Sequence, residues 1–208
     1  MRVLVTAGPT REAIDDVRFL TSGSTGRMGT EIAAAARDAG HDVTLVLGPV
    51  PLSPPDGVTV VPVVSALDMH DAVLERFDEV DAVVMVAAVA DYRPAERIEG
   101  KRKKADGPWD LRLVRNPDIL FELGRRRTHQ FLVGFALEAA NGEANARAKL
   151  SRKGCDAIVL DGPATVGAET SDFAILTADG GIERLAETTK ADLAVRLVGL
   201  LESGSTEA

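Results

Sequence analysis

Three groups of residues carry types and spacings that could do chemistry. Residues 21–30, "TSGSTGRMGT", set Gly23, Gly26 and Gly29 among Ser22, Ser24 and Thr25, just ahead of the alanine-rich stretch "EIAAAARDAG". Glycines let backbone amides approach an anion, and a helix start adds partial positive charge. Residues 101–104, "KRKK", put four cations in a row in a chain of formal net charge −8. Lys149 and Lys153 lie four apart in "ARAKLSRKG", on one face of a helix. Amides that cradle an anion and lysines that neutralise charge are the chemistry of a bound or transferred phosphate. Each group also has a plain reading: a helix start, a solvated basic patch, a solvated helix face. The pattern by itself leaves open a redox dinucleotide, a cleaved triphosphate or an empty turn.

Two further stretches end strands at places where an open sheet binds ligands. "TAGPTREAID" carries Gly8 and Arg11, and "AAVADYRP" places small residues from Ala87 before Asp91. Small residues admit a flat ring or a backbone, and Asp91 can accept from a base or sugar. Two features disfavour a dinucleotide. The glycine loop lies far beyond the first strand, and "HDVTLVLGP" offers no acidic residue where a ribose hydroxyl would be held. His41, His70 and His129 show no metal-ligand spacing, and no glycine-framed nucleophile is present.

The elements that must position these residues alternate along the chain. Residues 2–6 read as a buried strand, 8–25 as a long polar connection, and 26–38 as a helix stopping at Gly40. Strands are expected at 41–48 and 58–64, then a helix over 66–77 with Ser65 as its N-cap. Residues 81–92, "DAVVMVAAVADY", form the most apolar strand, expected at the centre. Residues 93–108 lack apolar periodicity and read as an exposed, mobile flap. A strand over 109–114 precedes a helix over 116–126, with Asn116 at its N-cap and Pro117 at its first position. Then come a strand (131–137), a helix (143–154) closed by Gly154, a strand (156–162) and a hairpin over 173–185 around Asp179-Gly180. A last helix spans 187–202, and 203–208 is a frayed, disordered tail. The alternation predicts one α/β domain over 1–208. It has three layers and a doubly wound, mostly parallel, Rossmann-like sheet, with a late β-hairpin and a basic flap.

Composition narrows the function classes. Hydrophobic residues make up 45% and aromatics only 4%, so Val, Leu, Ala and Ile fill the core. The negative charge argues against a nucleic-acid partner. The single Cys155 excludes an internal disulfide and a multi-cysteine metal site, and predicts a reducing, cytoplasmic setting. No apolar run approaches the roughly 20 residues that span a bilayer, so no membrane partner is expected. Met1 leads directly into a strand, which predicts no cleaved leader.

Taken in order, "VLVTAGPTREAIDDVRFLT", "STGRMG", "AAVADYRP", "KRKK", "VRNPDIL", "VGFALE" and "ARAKLSRK" resemble phosphopantothenoylcysteine synthetase over roughly residues 2–200. The resemblance implies a ligase of coenzyme A biosynthesis. It joins 4′-phosphopantothenate to L-cysteine through an acyl-nucleotide and cleaves a nucleoside triphosphate to the monophosphate and pyrophosphate. It implies CTP ahead of ATP, Mg²⁺ carried with the triphosphate, a homodimer, and a separate flavin-dependent decarboxylase as a further candidate partner. Matched by motif, Lys101 and Ser22 fall at catalytic positions. Gly8, Gly23, Ser24, Thr25, Gly26, Ala87, Asp91, Val114, Arg115, Asn116, Pro117, Phe135, Lys149 and Lys153 fall at nucleotide-binding positions. Two positions depart from the family pattern. Ser22 stands where an asparagine is usual, and Asp161 in "LDG" stands where the family has the asparagine of "AND". The departures imply altered nucleotide preference or altered catalysis. An NAD(P)-dependent reductase and a nucleotide-binding member without turnover are the alternatives.

Overall fold

The computed structural model describes residues 1–104, 106–165 and 167–204. In chain order its strands are β1 (Arg2–Ala7), β2 (Arg11–Ala13), β3 (Phe19–Thr21), β4 (Asp42–Leu47), β5 (Thr59–Pro62), β6 (Ala82–Met85), β7 (Tyr92–Pro94), β8 (Leu113–Arg115), β9 (Phe131–Leu137), β10 (Ala157–Asp161), β11 (Thr170–Thr177) and β12 (Ile182–Thr189). The helices are α1 (Arg27–Asp38), α2 (Ala66–Arg76), α3 (Ile119–Arg126), α4 (Gly142–Lys153) and α5 (Lys190–Gly204).

Strands rich in Val, Leu and Ala show no polar side to water and must be covered on both faces. Among the described residues eight of them form one sheet, ordered β12-β11-β10-β9-β6-β1-β4-β5. From β10 to β5 all neighbours are parallel, and β11 and β12 add an antiparallel edge. Along β1 the side chains alternate: Val3, Val5 and Ala7 join one core, Leu4 the other. The first core packs under α1 (Ile32, Ala33, Ala36) and α5 (Leu193, Leu197, Leu201). The second packs under α2 (Met69, Val73), α3 (Leu120, Leu123) and α4 (Ala146, Leu150). This is the expected three-layer, doubly wound α/β fold. The chain leaves β1 for β4 and β5 on one side, then crosses to β6 on the other. The carboxyl ends of β1 and β6 therefore flank the switch point where ligands bind such sheets.

Several boundaries differ from those read off the sequence. The polar connection after β1 folds back as an antiparallel ribbon, β2 on β3. The central strand ends at Met85, because the amides that follow bond outside the sheet ladder. Ala87 N–H donates to Thr6 Oγ1 (3.1 Å), Ala88 N–H to the Gly8 carbonyl (2.9 Å) and Ala90 N–H to Thr10 Oγ1 (3.0 Å). Tyr92 then starts a second ribbon, β7 on β8, and β8 is shorter than the strand expected over 109–114. Asn116 does not cap α3. Asp118 does, accepting from the Phe121 N–H (3.2 Å). Ser65 caps α2 as expected, within a capping box closed by Asp68. β11 and β12 meet across a turn holding Asp179 and Gly180, and both strands run longer than expected. Helix α5 starts later and takes in Ser203 and Gly204. The rest of the expected tail, 205–208, lies outside the described residues, as does residue 105 of the expected flap.

Candidate active site

The glycine loop leaves β3 and enters α1 through Gly26, whose φ of 78° suits glycine alone. No side chain caps α1, and its first turn carries no acidic residue. Apart from the Arg27 N–H, which donates to Thr25 Oγ1 (3.4 Å), the first turn of α1 is left without a side-chain cap, so the helix's positive end lies open to the cleft that Gly26 to Gly29 line. Gly29 lets the helix lie directly on β1, because a Cβ there would collide with Ala7.

The loop forms one wall of a cleft of about 560 Å³ at the carboxyl ends of the parallel strands. Gly8, Ser22, Gly23, Ser24, Thr25, Gly26, Ala87, Asp91, Phe135 and Lys149 all line it. A smaller hollow of about 190 Å³ adjoins it, sharing Ala87, Asp91, Phe135 and Lys149, and adds Arg115, Asn116, Pro117 and Lys153. Residues scattered over most of the chain thus meet at the switch point. Asn116 holds this corner instead of capping a helix. Its N–H donates to the Asp91 carbonyl (2.8 Å), its Nδ2 to the Ala90 carbonyl (2.7 Å), and its Oδ1 accepts from Arg93 (2.9 Å).

Two expected residues fall elsewhere. Val114 pairs with Arg93 in the second ribbon and lines neither hollow. Lys101 borders a separate cavity of about 820 Å³ with Arg18, Arg102, Lys103, Lys104 and Trp109.

The lysines of α4 are less free than their spacing indicates. Lys149 Nζ donates to the Phe135 carbonyl (2.6 Å), and burial, followed by the charge of Lys153, pulls its pKa below the usual lysine value. Lys153 is buried and paired with Asp118. Burial opposes ionisation of Asp118, but the Lys153 hydrogen bond and the Phe121 N–H outweigh it and hold that carboxyl low.

Sequence reasoning missed Lys190, the first residue of α5. It is buried and lines the cleft, with Nζ donating to the carbonyls of Thr165 (3.2 Å) and Ala168. A signal was available: Lys190 stands in register with the apolar stripe Leu193, Ala194, Leu197, Val198 and Leu201. Asp161 ends β10 at the same wall. Burial pushes its carboxyl up to about 6, while the charges of Lys190 and Lys149 draw it down. Thr6 and Thr10 were also missed. Both are fully buried and hold the segment after β6 through the bonds given above.

These features define a class: a doubly wound α/β domain with a glycine-loop cleft at its switch point. The model for the DNA/pantothenate metabolism flavoprotein C-terminal domain matches residues 1–203, and the chain belongs to that family. It is 45% identical over 201 residues to the coenzyme A biosynthesis bifunctional protein CoaBC of Bacillus subtilis, covering 94% of this chain and 50% of that protein. The chain thus spans about half the length of the curated relative it matches. The crystal structure of the C-terminal domain of a CoaBC protein superposes with a TM-score of 0.87 at 39% identity, covering 100% of this chain and 96% of that one. The fold is also that of Cab2 H337A in complex with phosphopantothenate-cysteine, at a TM-score of 0.83, 16% identity, and coverage of 99% and 88%. The resemblance drawn from the ordered motifs agrees with these relatives.

Proposed function

We propose that this chain is a phosphopantothenate–cysteine ligase acting in coenzyme A biosynthesis. The observation that carries the proposal is the cleft: an uncapped helix start and glycine loop face Lys149 and Lys190 at the switch point of the sheet. In the first step a carboxylate oxygen of 4′-phosphopantothenate attacks the α-phosphorus of CTP. The bond to the bridging oxygen breaks and pyrophosphate leaves. In the second step the amine of cysteine attacks the acyl carbon. The carbon–oxygen bond to the nucleotide breaks, CMP leaves with the electron pair, and the ammonium proton passes to solvent.

Loop amides and α1 hold phosphate oxygens, and Lys149 supplies a half-buried cation to the same charge. Phe135 offers an apolar surface for base or ribose. Ser22, at the loop's entry, can donate one hydroxyl where the resembled family presents an amide. Lys101 serves the acyl-nucleotide stage. CTP takes precedence over ATP because the Bacillus relative is bacterial and bacterial members of the resembled family use CTP. Mg²⁺ fits this site as a passenger of the triphosphate. The cleft lining supplies the carboxylates Asp91 and Asp161, and no cluster of three metal-ligating side chains forms among the described residues. Its chemistry is charge neutralisation on the phosphates.

A nicotinamide reductase fits less well. β4 ends at Leu47 and runs into Gly48 and Pro49, with no carboxylate for a ribose. The two are separated by incubating the protein with CTP and 4′-phosphopantothenate without cysteine and analysing the mixture by mass spectrometry. An acyl-nucleotide is expected, and Lys101→Ala is expected to bind CTP normally yet keep only a small, measurable residual rate of amide formation when cysteine is added. Unchanged amide formation by that variant would refute the role given to Lys101.

A further inference from the structure

Between the turn of the first ribbon and the basic segment after β7 runs a set of bonds that the cleft does not explain. Asp15 is buried. Its Oδ1 accepts from the Val17 N–H (2.9 Å) and the Arg18 N–H (2.8 Å). Its Oδ2 accepts from Arg18 Nε (2.9 Å), from Arg18 Nη2, and from the Arg102 N–H (3.2 Å). Arg18 Nη2 also donates to the Arg102 carbonyl (2.8 Å). Both backbone groups of Arg102 are therefore held by the Asp15–Arg18 unit. Asp16 does the same for Gly100. Its Oδ2 accepts from the Gly100 N–H (3.0 Å), and its own N–H donates to the Gly100 carbonyl (3.2 Å). Its Oδ1 takes Arg97 Nη2 (2.8 Å). Lys101 is the residue between the two held positions. Its side chain is exposed and has no bonded partner among the described residues.

We propose that Asp15 and Asp16 are positioning residues: they clamp the backbone on both sides of Lys101 beside the cavity it borders, so that only its side chain has to reach toward the reaction. This deepens the ligase proposal and rests on the role given there to Lys101. A lysine on a freely moving loop spreads its charge over a large volume, and ordering it costs entropy at each turnover. Clamping residues 100 and 102 removes the backbone share of that cost and leaves the side chain free to reach. A solvated basic run has no use for such bonds, since side-chain attraction alone would satisfy the two carboxylates. The Arg18 guanidinium holds the Asp15 carboxyl well below the usual range, so the clamp stays charged at neutral pH. Beyond it, Trp109 packs against Arg102 and Arg18, at 4.0 and 5.3 Å from guanidinium carbon to ring centroid, and ties the far end of the segment to the same arginine.

The test uses the full chain with Asp16→Ala, Asp16→Asn and Lys101→Ala, alone and combined. Asp16 is half-exposed, so its variants are expected to fold; Asp15→Asn is added with a thermal-melt check. Amide formation from 4′-phosphopantothenate, CTP and cysteine is followed beside tryptic cleavage at residues 101–104. Asp16→Ala is expected to lower kcat about tenfold with KM for CTP unchanged. Asp16→Asn, which keeps an acceptor oxygen, is expected to recover most of that loss. Cleavage in Asp16→Ala speeds up several-fold, and in the Lys101→Ala background Asp16→Ala changes turnover no further. Additive losses in the double variant would overturn the proposal, as would unchanged cleavage, or faster cleavage with unchanged kcat. A wild-type protein without turnover would remove the ligase proposal and the positioning role with it, while the cleavage rates would still report whether the clamp exists.

Discussion

Asp161 concentrates the electrostatics of the cleft in one side chain. Its carboxyl titrates at about 6 in the folded chain because burial outweighs the pull of Lys190 and Lys149. Unfolded, an aspartate titrates near about 3.9. Between those values the folded chain holds a proton that the unfolded chain has released. Stability from this group is therefore full below pH about 4, declines as pH rises, and levels off above about 6. Asp161→Asn removes the decline. Its thermal midpoint is expected about 6–12 °C above wild type at pH 7 and close to it at pH 4. Identical midpoints at both pH values would show a solvated carboxylate instead. The same substitution is expected to tighten CTP binding at pH 7.5, measured by calorimetry, because it removes a like charge beside the phosphates. Weaker binding would mean that Asp161 accepts from the base.

The glycine loop can reach an anion only because α1 rests on β1 through Gly29. An alanine there meets Ala7 and the Thr6 carbonyl, both belonging to a buried strand that cannot give way. Gly29→Ala is expected to cost about 1–3 kcal/mol in denaturant melts and to weaken CTP binding as α1 lifts. A loss under about 0.5 kcal/mol would show that the contact has slack. Elements with a local cause were legible in the sequence. Ser65 reads as the N-cap of α2, and the apolar runs of β1, β4 and β9 read as strands. Elements with a tertiary cause were not. β6 stops at Met85 because Thr6 and Thr10 capture the following amides from across the sheet. β2 and β3 are three residues each, too short for a period. Asn116 looks like a cap until Asp118 takes the helix and Asn116 turns to Ala90. At the site, the family motifs named most of the cleft wall, but Lys190 enters it from the far end of the chain through a helix register that composition alone does not show.

On the scale of the molecule, strand–helix alternation fixes where the cleft must lie, and charge is segregated around it. The chain carries a formal net charge of −8, yet in the cleft Arg27, Lys149 and Lys190 outnumber Asp91 and Asp161. Such local basic focusing in an acidic molecule favours an anionic ligand over a nucleic acid. The two ribbons contact each other through β2 and β7 and expose Val17, Phe19, Tyr92 and Leu113. Exposed apolar side chains on neighbouring ribbons suit a protein surface, and the resemblance implies a homodimer. Sedimentation equilibrium is expected to give twice the chain mass of 22.0 kDa, with Phe19→Asp plus Tyr92→Asp shifting it to the monomer. A wild-type monomer at micromolar concentration would exclude that use of the ribbons. The central claim, that the cleft activates a carboxylate with a nucleoside triphosphate, is tested most directly by pyrophosphate release. With CTP and 4′-phosphopantothenate, release is expected, and adding cysteine is expected to give sustained turnover with one pyrophosphate per amide, faster than with ATP. Release that ignores 4′-phosphopantothenate, or no release with either nucleotide, would contradict it.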